Sequence, residues 1–143
     1  MSRLPTPPFA AQRLICLALL ASMVMAAIAF GAVIYANDGR GLSDEPIPML
    51  GWIALGFAAV TGPLAFFVRD RRLAAAADAH PDLQPFLRFQ ARLTLLAVLE
   101  GGVLFGLVVW LLNGTAFPSV VGSAGLFVAA WMATPLSDPD AAN

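Results

Sequence analysis

The run from Leu93 to Leu112, LTLLAVLEGGVLFGLVVWLL, limits what this chain can fold into. About 20 apolar residues in helical form cross the hydrocarbon core of a bilayer. This run is that long, and a single carboxylate, Glu100, lies inside it. Three further runs, Leu14 to Ala36, Met49 to Val68 and Thr115 to Thr134, have similar length and no internal charge. Charged residues make up only 12% of the chain, against about 25% in soluble domains, so these runs are not the cores of an ordinary globular fold. The expected fold is all-α, a four-transmembrane-helix bundle forming a single membrane domain over residues 1–143. Its helices lie near 14–36, 49–68, 83–112 and 115–134, with a connection over 69–92 and an acidic tail over 135–143. The first run exceeds the roughly 7–15 apolar residues of a signal-peptide core, so it is read as a span.

Arginine placement sets the expected orientation. Arg3 and Arg13 precede the first run, and Arg69, Arg71, Arg72, Arg88 and Arg92 lie between the second and third. Between the first and second runs there is only Arg40, beside Asp38, Asp44 and Glu45. Both termini are therefore expected in the cytoplasm. All eight basic residues are Arg, and Ala, Gly and Pro are abundant. That composition points to a GC-rich bacterial genome and so to the inner membrane. A net charge of −1 offers nothing to nucleic acid. Cys16 is the lone cysteine, which excludes an internal disulfide. No metal set, cofactor motif or second catalytic group accompanies Glu100, so no enzyme is expected.

The Arg-rich connection is more than a loop. Ala-rich sequence after Arg69 prolongs the second helix, and His80-Pro81 stops it. Asp82 suits a helix N-cap and Pro85 a first-turn position. Phe86 and Phe89 are expected at the membrane interface, with Arg88 and Arg92 reaching their charges into water.

An offset of 75 residues relates VMAAIAFGAVIY (24–35) to LEGGVLFGLVVW (99–110), with Met25 in the place of Glu100. AAVTGPL (58–64) and AAWMATPL (129–136) echo each other more faintly. A parallel duplication of a two-helix unit is one reading. Small residues let membrane helices approach closely, which makes Gly102, Gly106, Gly122, Gly125 and Ala129 the expected packing positions. Gly102 and Gly106 lie roughly 200–240° around the helix from Glu100. The third helix should thus be the most enclosed.

An unpaired acid in hydrocarbon is costly, at least about 2.5–3.5 kcal/mol for the charged form at mid-bilayer. Its neutral form is the cheaper one. Depth supplies partners. Glu100 is seven residues in from Leu93, Ser22 eight in from Leu14, and Thr61 seven in from Val68, all about 10–12 Å below the same surface. Pro63 removes the helical donor to the Ala59 carbonyl at nearly that depth. Glu100, Thr61, Ser22 and Ala59 are therefore the candidate polar layer, holding either the bundle or a proton or cation.

Two resemblances follow. EGGVLFGLVV (100–109) resembles the carboxylate helix of the ATP synthase c subunit, where a membrane Glu precedes an aromatic-Gly-Leu-Val-Val string, here Phe105 to Val109. That likeness implies a proton- or cation-binding proteolipid with Glu100 as carrier. It departs in the second helix, where Trp52, Phe57 and Pro63 interrupt Gly51, Gly56 and Gly62. Over its whole length the chain resembles a group of small, uncharacterised bacterial four-helix membrane proteins. Arg92, Glu100, Gly101, Gly102, Phe30-Gly31 and Pro135 carry that likeness. The expected partners are the lipid bilayer and a second copy or another membrane protein.

Overall fold

The computed structural model describes residues 7–134. Arg3, Pro135 and the acidic tail lie outside the described residues. The fold is all-α, with four helices: α1 (Phe9–Ala36), α2 (Pro48–Ala77), α3 (Gln84–Asn113) and α4 (Ser119–Ala133). Three of them, α1 to α3, are long and apolar enough to cross a membrane. At 30 residues each, α2 and α3 are about 45 Å long and overrun a hydrocarbon core of about 30 Å. The second helix is continuous through Pro63 to Ala77. Chain reversal needs only the turn before Gln84, which folds back on α2 when its Nε2 donates to the carbonyls of Ala77 and Ala79, both 3.2 Å.

Helix boundaries differ from expectation at three places. First, α1 begins at Phe9, five residues early, because Ala10, Ala11, Gln12 and Arg13, none of them a helix breaker, carry the helix out beyond the apolar run. Second, Asp82 does not cap α3: Leu83 holds the N-cap position without a side-chain bond, and Asp82 instead faces His80 at 3.7 Å. Third, α4 begins at Ser119 rather than Thr115 and has 15 residues. Gly114 ends α3 in the left-handed conformation, φ 73°, and Pro118 has no N–H to join a helical ladder. The connection between them packs back on α2, where Gly51 leaves room for the Pro118 ring and Trp52 meets Phe117 edge-on at 5.5 Å.

Helix α3 is the hub. It packs against all three others, while α2 and α4 also pack on each other and α1 touches α4 only lightly; α1 and α2 do not pack together. Of the three long helices α3 is the most enclosed, with 44% of its apolar stretch buried against 17% for α1. The core joins Cys16, Leu20 and Met23 of α1 to Leu95, Leu96, Leu99 and Val103 of α3 and to Leu126 and Ala130 of α4.

The glycines of α3 and α4 divide into two groups. A Cβ on Gly106 would collide with the Ser123 hydroxyl, one on Gly102 with Leu126, and one on Gly122 with Ala58 at 2.9 Å. Ala129 packs against the core. Gly125, expected in the same strip, is exposed and faces open space. It lies about 60° around the helix from Gly122, on the side away from Ser123 and Leu126.

Where the chain leaves α3, its end is closed by the α1–α2 connection. A helix leaves its last carbonyls without partners. Here Gly114 N–H donates to the Trp110 carbonyl (2.8 Å), Leu42 N–H to Leu111 and Ser43 N–H to Leu112, both 3.0 Å. Gly41 permits that crossing, since a Cβ there would overlap the Leu112 carbonyl oxygen.

Candidate functional site

Glu100 is half-buried in the seam between α3 and α1, and its Oε1 is hydrogen-bonded to Ser22 Oγ. Ser22 Oγ also lies 2.7 Å from the carbonyl of Leu19, one turn back on its own helix. A hydroxyl has one proton to donate. Its Oγ is therefore shared between the Leu19 carbonyl and the Glu100 carboxyl, and it joins the acid to the backbone of α1. Small side chains open the seam: Ala18 and Ala21 on α1 and Ala97 and Gly101 on α3 are all exposed, as is Ser22 itself.

The other members of the expected layer are elsewhere. Thr61 is buried on the far side of α3, where its methyl group lies against Gly102. Its hydroxyl reaches neither Glu100 nor Ser22. Ala59 is exposed on α2, and no side chain among the described residues bonds its carbonyl. Gly102 and Thr61 are close because both lie in the α2–α3–α4 interface, nearly opposite Glu100 around α3. The structure brings Ser22 to Glu100 and leaves Thr61 and Ala59 out.

Among the interface residues, Arg88 is exposed and holds Gln84 Oε1 at 3.3 Å, and Arg92 and Phe86 are half-buried. Phe89 is buried against the rest of the protein. Helix α1 extends past its apolar run back to Phe9 and α2 past its own to Ala77, and the first turns of α3 bury Phe89 and Ala91 while Pro85, Arg88 and Gln90 stay exposed.

Three polar features escaped the sequence reading. Ser123 on α4 donates to the Val103 carbonyl of α3 at 3.1 Å and is buried. Its place four residues after Ser119, beside Gly122, was the available signal. Asn113 ties α3 to the start of α2 through both atoms of its amide and the backbone of Ile47. Arg72 Nη1 donates to Thr94 Oγ1 at 3.0 Å, joining α2 to α3 at the Arg-rich end. A separate apolar groove of about 420 Å³ runs between α1, α3 and α4, lined by Met23, Ala27, Val103, Leu107, Trp110 and Phe127 among others. Neither Ser22 nor Glu100 lines it. Among the described residues no cluster of three or more His, Cys, Asp or Glu could hold a metal ion.

No protein-family model, curated protein or solved structure matches this chain.

Proposed function

We propose that this chain is a small polytopic integral membrane protein of the bacterial inner membrane, with both termini in the cytoplasm, that associates with a second copy or another membrane protein through the α1–α3 seam. The bond between Ser22 and Glu100 carries this reading. It fastens α1, the least packed long helix, to the hub helix, and it leaves a half-exposed acid at the outer surface among small residues. In lipid such a group is costly, and a neighbouring helix seated on small residues would cover it. The fourth helix completes the pairing of spans even at 15 residues, since a bilayer thins locally around a short hydrophobic segment. No catalytic step is assigned.

The test is the oligomeric state of the full chain in lipid nanodiscs, read by native mass spectrometry, for wild type and Glu100→Leu. An assembly in wild type that falls apart in the variant supports the seam as an interface. Identical monomers in both would sink it.

A second reading, Glu100 as the proton carrier of a proteolipid-like subunit, draws on the half-buried position of the carboxyl beside its hydroxyl partner Ser22. A hydrophobic carbodiimide attacks protonated membrane carboxyls. Labelling at Glu100 that falls as pH rises and is blocked by a monovalent cation favours this reading, and labelling indifferent to both removes it.

A further inference from the structure

Helix α4 stops short of the far ends of α2 and α3, and the helix contacts fix where. Gly102 lies against Leu126 and Gly106 against Ser123, so α4 runs antiparallel to α3. Thr134, eight residues past Leu126, falls level with Thr94, eight before Gly102. Gly62 also lies against Leu126, and Gly122 against Ala58, so α4 runs parallel to α2 and Thr134 falls level with Asp70. The bond from Arg72 to Thr94, 3.0 Å, joins the two long helices at this height. Beyond it α2 continues to Ala77 and α3 reaches back to Gln84. The lane that α4 fills along its own length is thus left open for about 10–15 Å.

Helical periodicity identifies what lines that lane. Arg88 is eighteen residues before Gly106, five full turns, and shares the line of α3 that faces Ser123. Arg92 is one turn away from Arg88 and about 40° around the helix. Leu73 is eleven residues past Gly62, about three turns, on the line of α2 that faces Leu126. Arg88 is exposed, and Arg92 and Leu73 are half-buried. Among the described residues neither arginine has a carboxylate partner, and Arg88 holds only the neutral Gln84 Oε1 at 3.3 Å. Arg69, which also faces the lane, is neutralised by Asp70 at 2.7 Å. Arg71 is nine residues past Gly62, about half a turn off that line, and lies over the Phe67 ring at 5.0 Å.

Residues 135–143 read PLSDPDAAN. Thr134 leaves α4 with extended torsions, φ −79° and ψ 124°, as a residue before proline does. From there a chain lengthens by up to about 3.3 Å per residue, which carries Leu136 up to about 7 Å, Asp138 about 13 Å and Asp140 about 20 Å. Leu73 is about 4–5 Å past the level of Thr134 and Arg88 about 9 Å past it. The segment therefore presents an apolar residue at the reach of Leu73 and then two carboxylates at the reach of two uncancelled guanidinium groups.

We propose that residues 135–143 dock in this lane as an acidic strap, with Leu136 against Leu73 and with Asp138 and Asp140 on Arg88 and Arg92. The tether to Thr134 keeps the carboxylates at a local concentration on the order of millimolar. This placement follows from helix contacts and charge, and it stands independently of the membrane reading above.

The test traps the strap by disulfide formation in the full chain in neutral detergent, with the buried Cys16 left in place. Ser137→Cys is paired either with Ala77→Cys, on the lane side of α2, or with Ala75→Cys, about 200° around that helix. Both alanines are exposed. Rates are read by mass spectrometry of the linked peptides. With all charges intact the Ala77 pair closes about ten-fold faster, which is what two exposed ion pairs together supply. Arg88→Gln combined with Arg92→Gln brings the two rates within about two-fold, as does 1 M salt, where the screening length is about 3 Å. Arg71→Gln leaves the ratio unchanged. Reversing both sides, Arg88→Glu and Arg92→Glu with Asp138→Arg and Asp140→Arg, restores it. Equal closure of the two pairs with all charges intact would overturn the docking, and so would a ratio indifferent to Arg88 and Arg92. Disulfides that form only between copies would assign the strap to a second molecule. A ratio erased by added phosphatidylglycerol would give the arginines to lipid headgroups. Either result also overturns the proposal.

Discussion

Asn113 spends its whole side-chain amide on one residue, Ile47: Nδ2 donates to the Ile47 carbonyl and Oδ1 accepts from the Ile47 N–H, both at 3.0 Å. The last residue of α3 thereby fixes the residue just before α2. Asn113 is 5% exposed, so removing its amide strands two backbone groups beside apolar neighbours. Asn113→Ala is expected to lower stability by about 2 kcal/mol, measured by thermal unfolding in detergent. An unchanged midpoint would mean that water replaces the amide there.

The two kinds of glycine on the packed helices make opposite predictions. Gly106 abuts Ser123, and the Ser119 carbonyl is close behind. Gly106→Leu should cost about 1–3 kcal/mol or more through overpacking and dislodge α4. Gly125→Leu, into open space, should stay within about 0.5 kcal/mol. Unfolding in mixed micelles of increasing dodecyl sulfate ranks the two, and equal effects would contradict the packing described.

At the acid, a carboxamide in place of the carboxyl keeps an oxygen that can accept from Ser22 Oγ and adds an N–H that can donate to it. Glu100→Gln should therefore leave the thermal midpoint nearly unchanged. Ser22→Ala should cost about 0.6 kcal/mol, the average for a hydrogen bond between membrane helices. A marked loss in Glu100→Gln with none in Ser22→Ala would show that the carboxyl acts through something other than Ser22.

Gly41 is required by backbone crowding rather than by its torsion angles. Gly41→Ala should lift the α1–α2 connection off α3, and hydrogen exchange at the Leu42 and Ser43 amides should quicken about ten-fold or more while the α2–α3 interface stays protected. Unaltered exchange at those amides would show that the crossing can shift without breaking its bonds.

How much of this was legible in advance depended on which coordinate the sequence encodes. Apolar length gave the helices, and counting residues inward gave depth, which is why Ser22 and Glu100 could be matched. Depth carries no information about azimuth. Thr61 has the right depth, but α2 sits on the glycine face of α3, and that face had already been placed nearly opposite Glu100. Combining the two would have separated Thr61 from the acid. Asn113 stands before Gly114, a pair with the local pattern of a turn, and nothing local reveals that its amide reaches 66 residues back along the chain. The start of α4 was misjudged because an apolar composition continues through Phe117 and Pro118, where the backbone does not.

The isolation of α1 from α2 bears on how the chain is assembled. On the membrane placement proposed above, a chain delivered N-terminus first would release α1 into the bilayer with no partner from the next segment. It must wait there until the third segment emerges with Leu96, Val103 and the acid that docks it. During that interval only its own basic residues can hold its topology, so the order of synthesis leaves the first span to orient itself before the rest of the molecule can correct it.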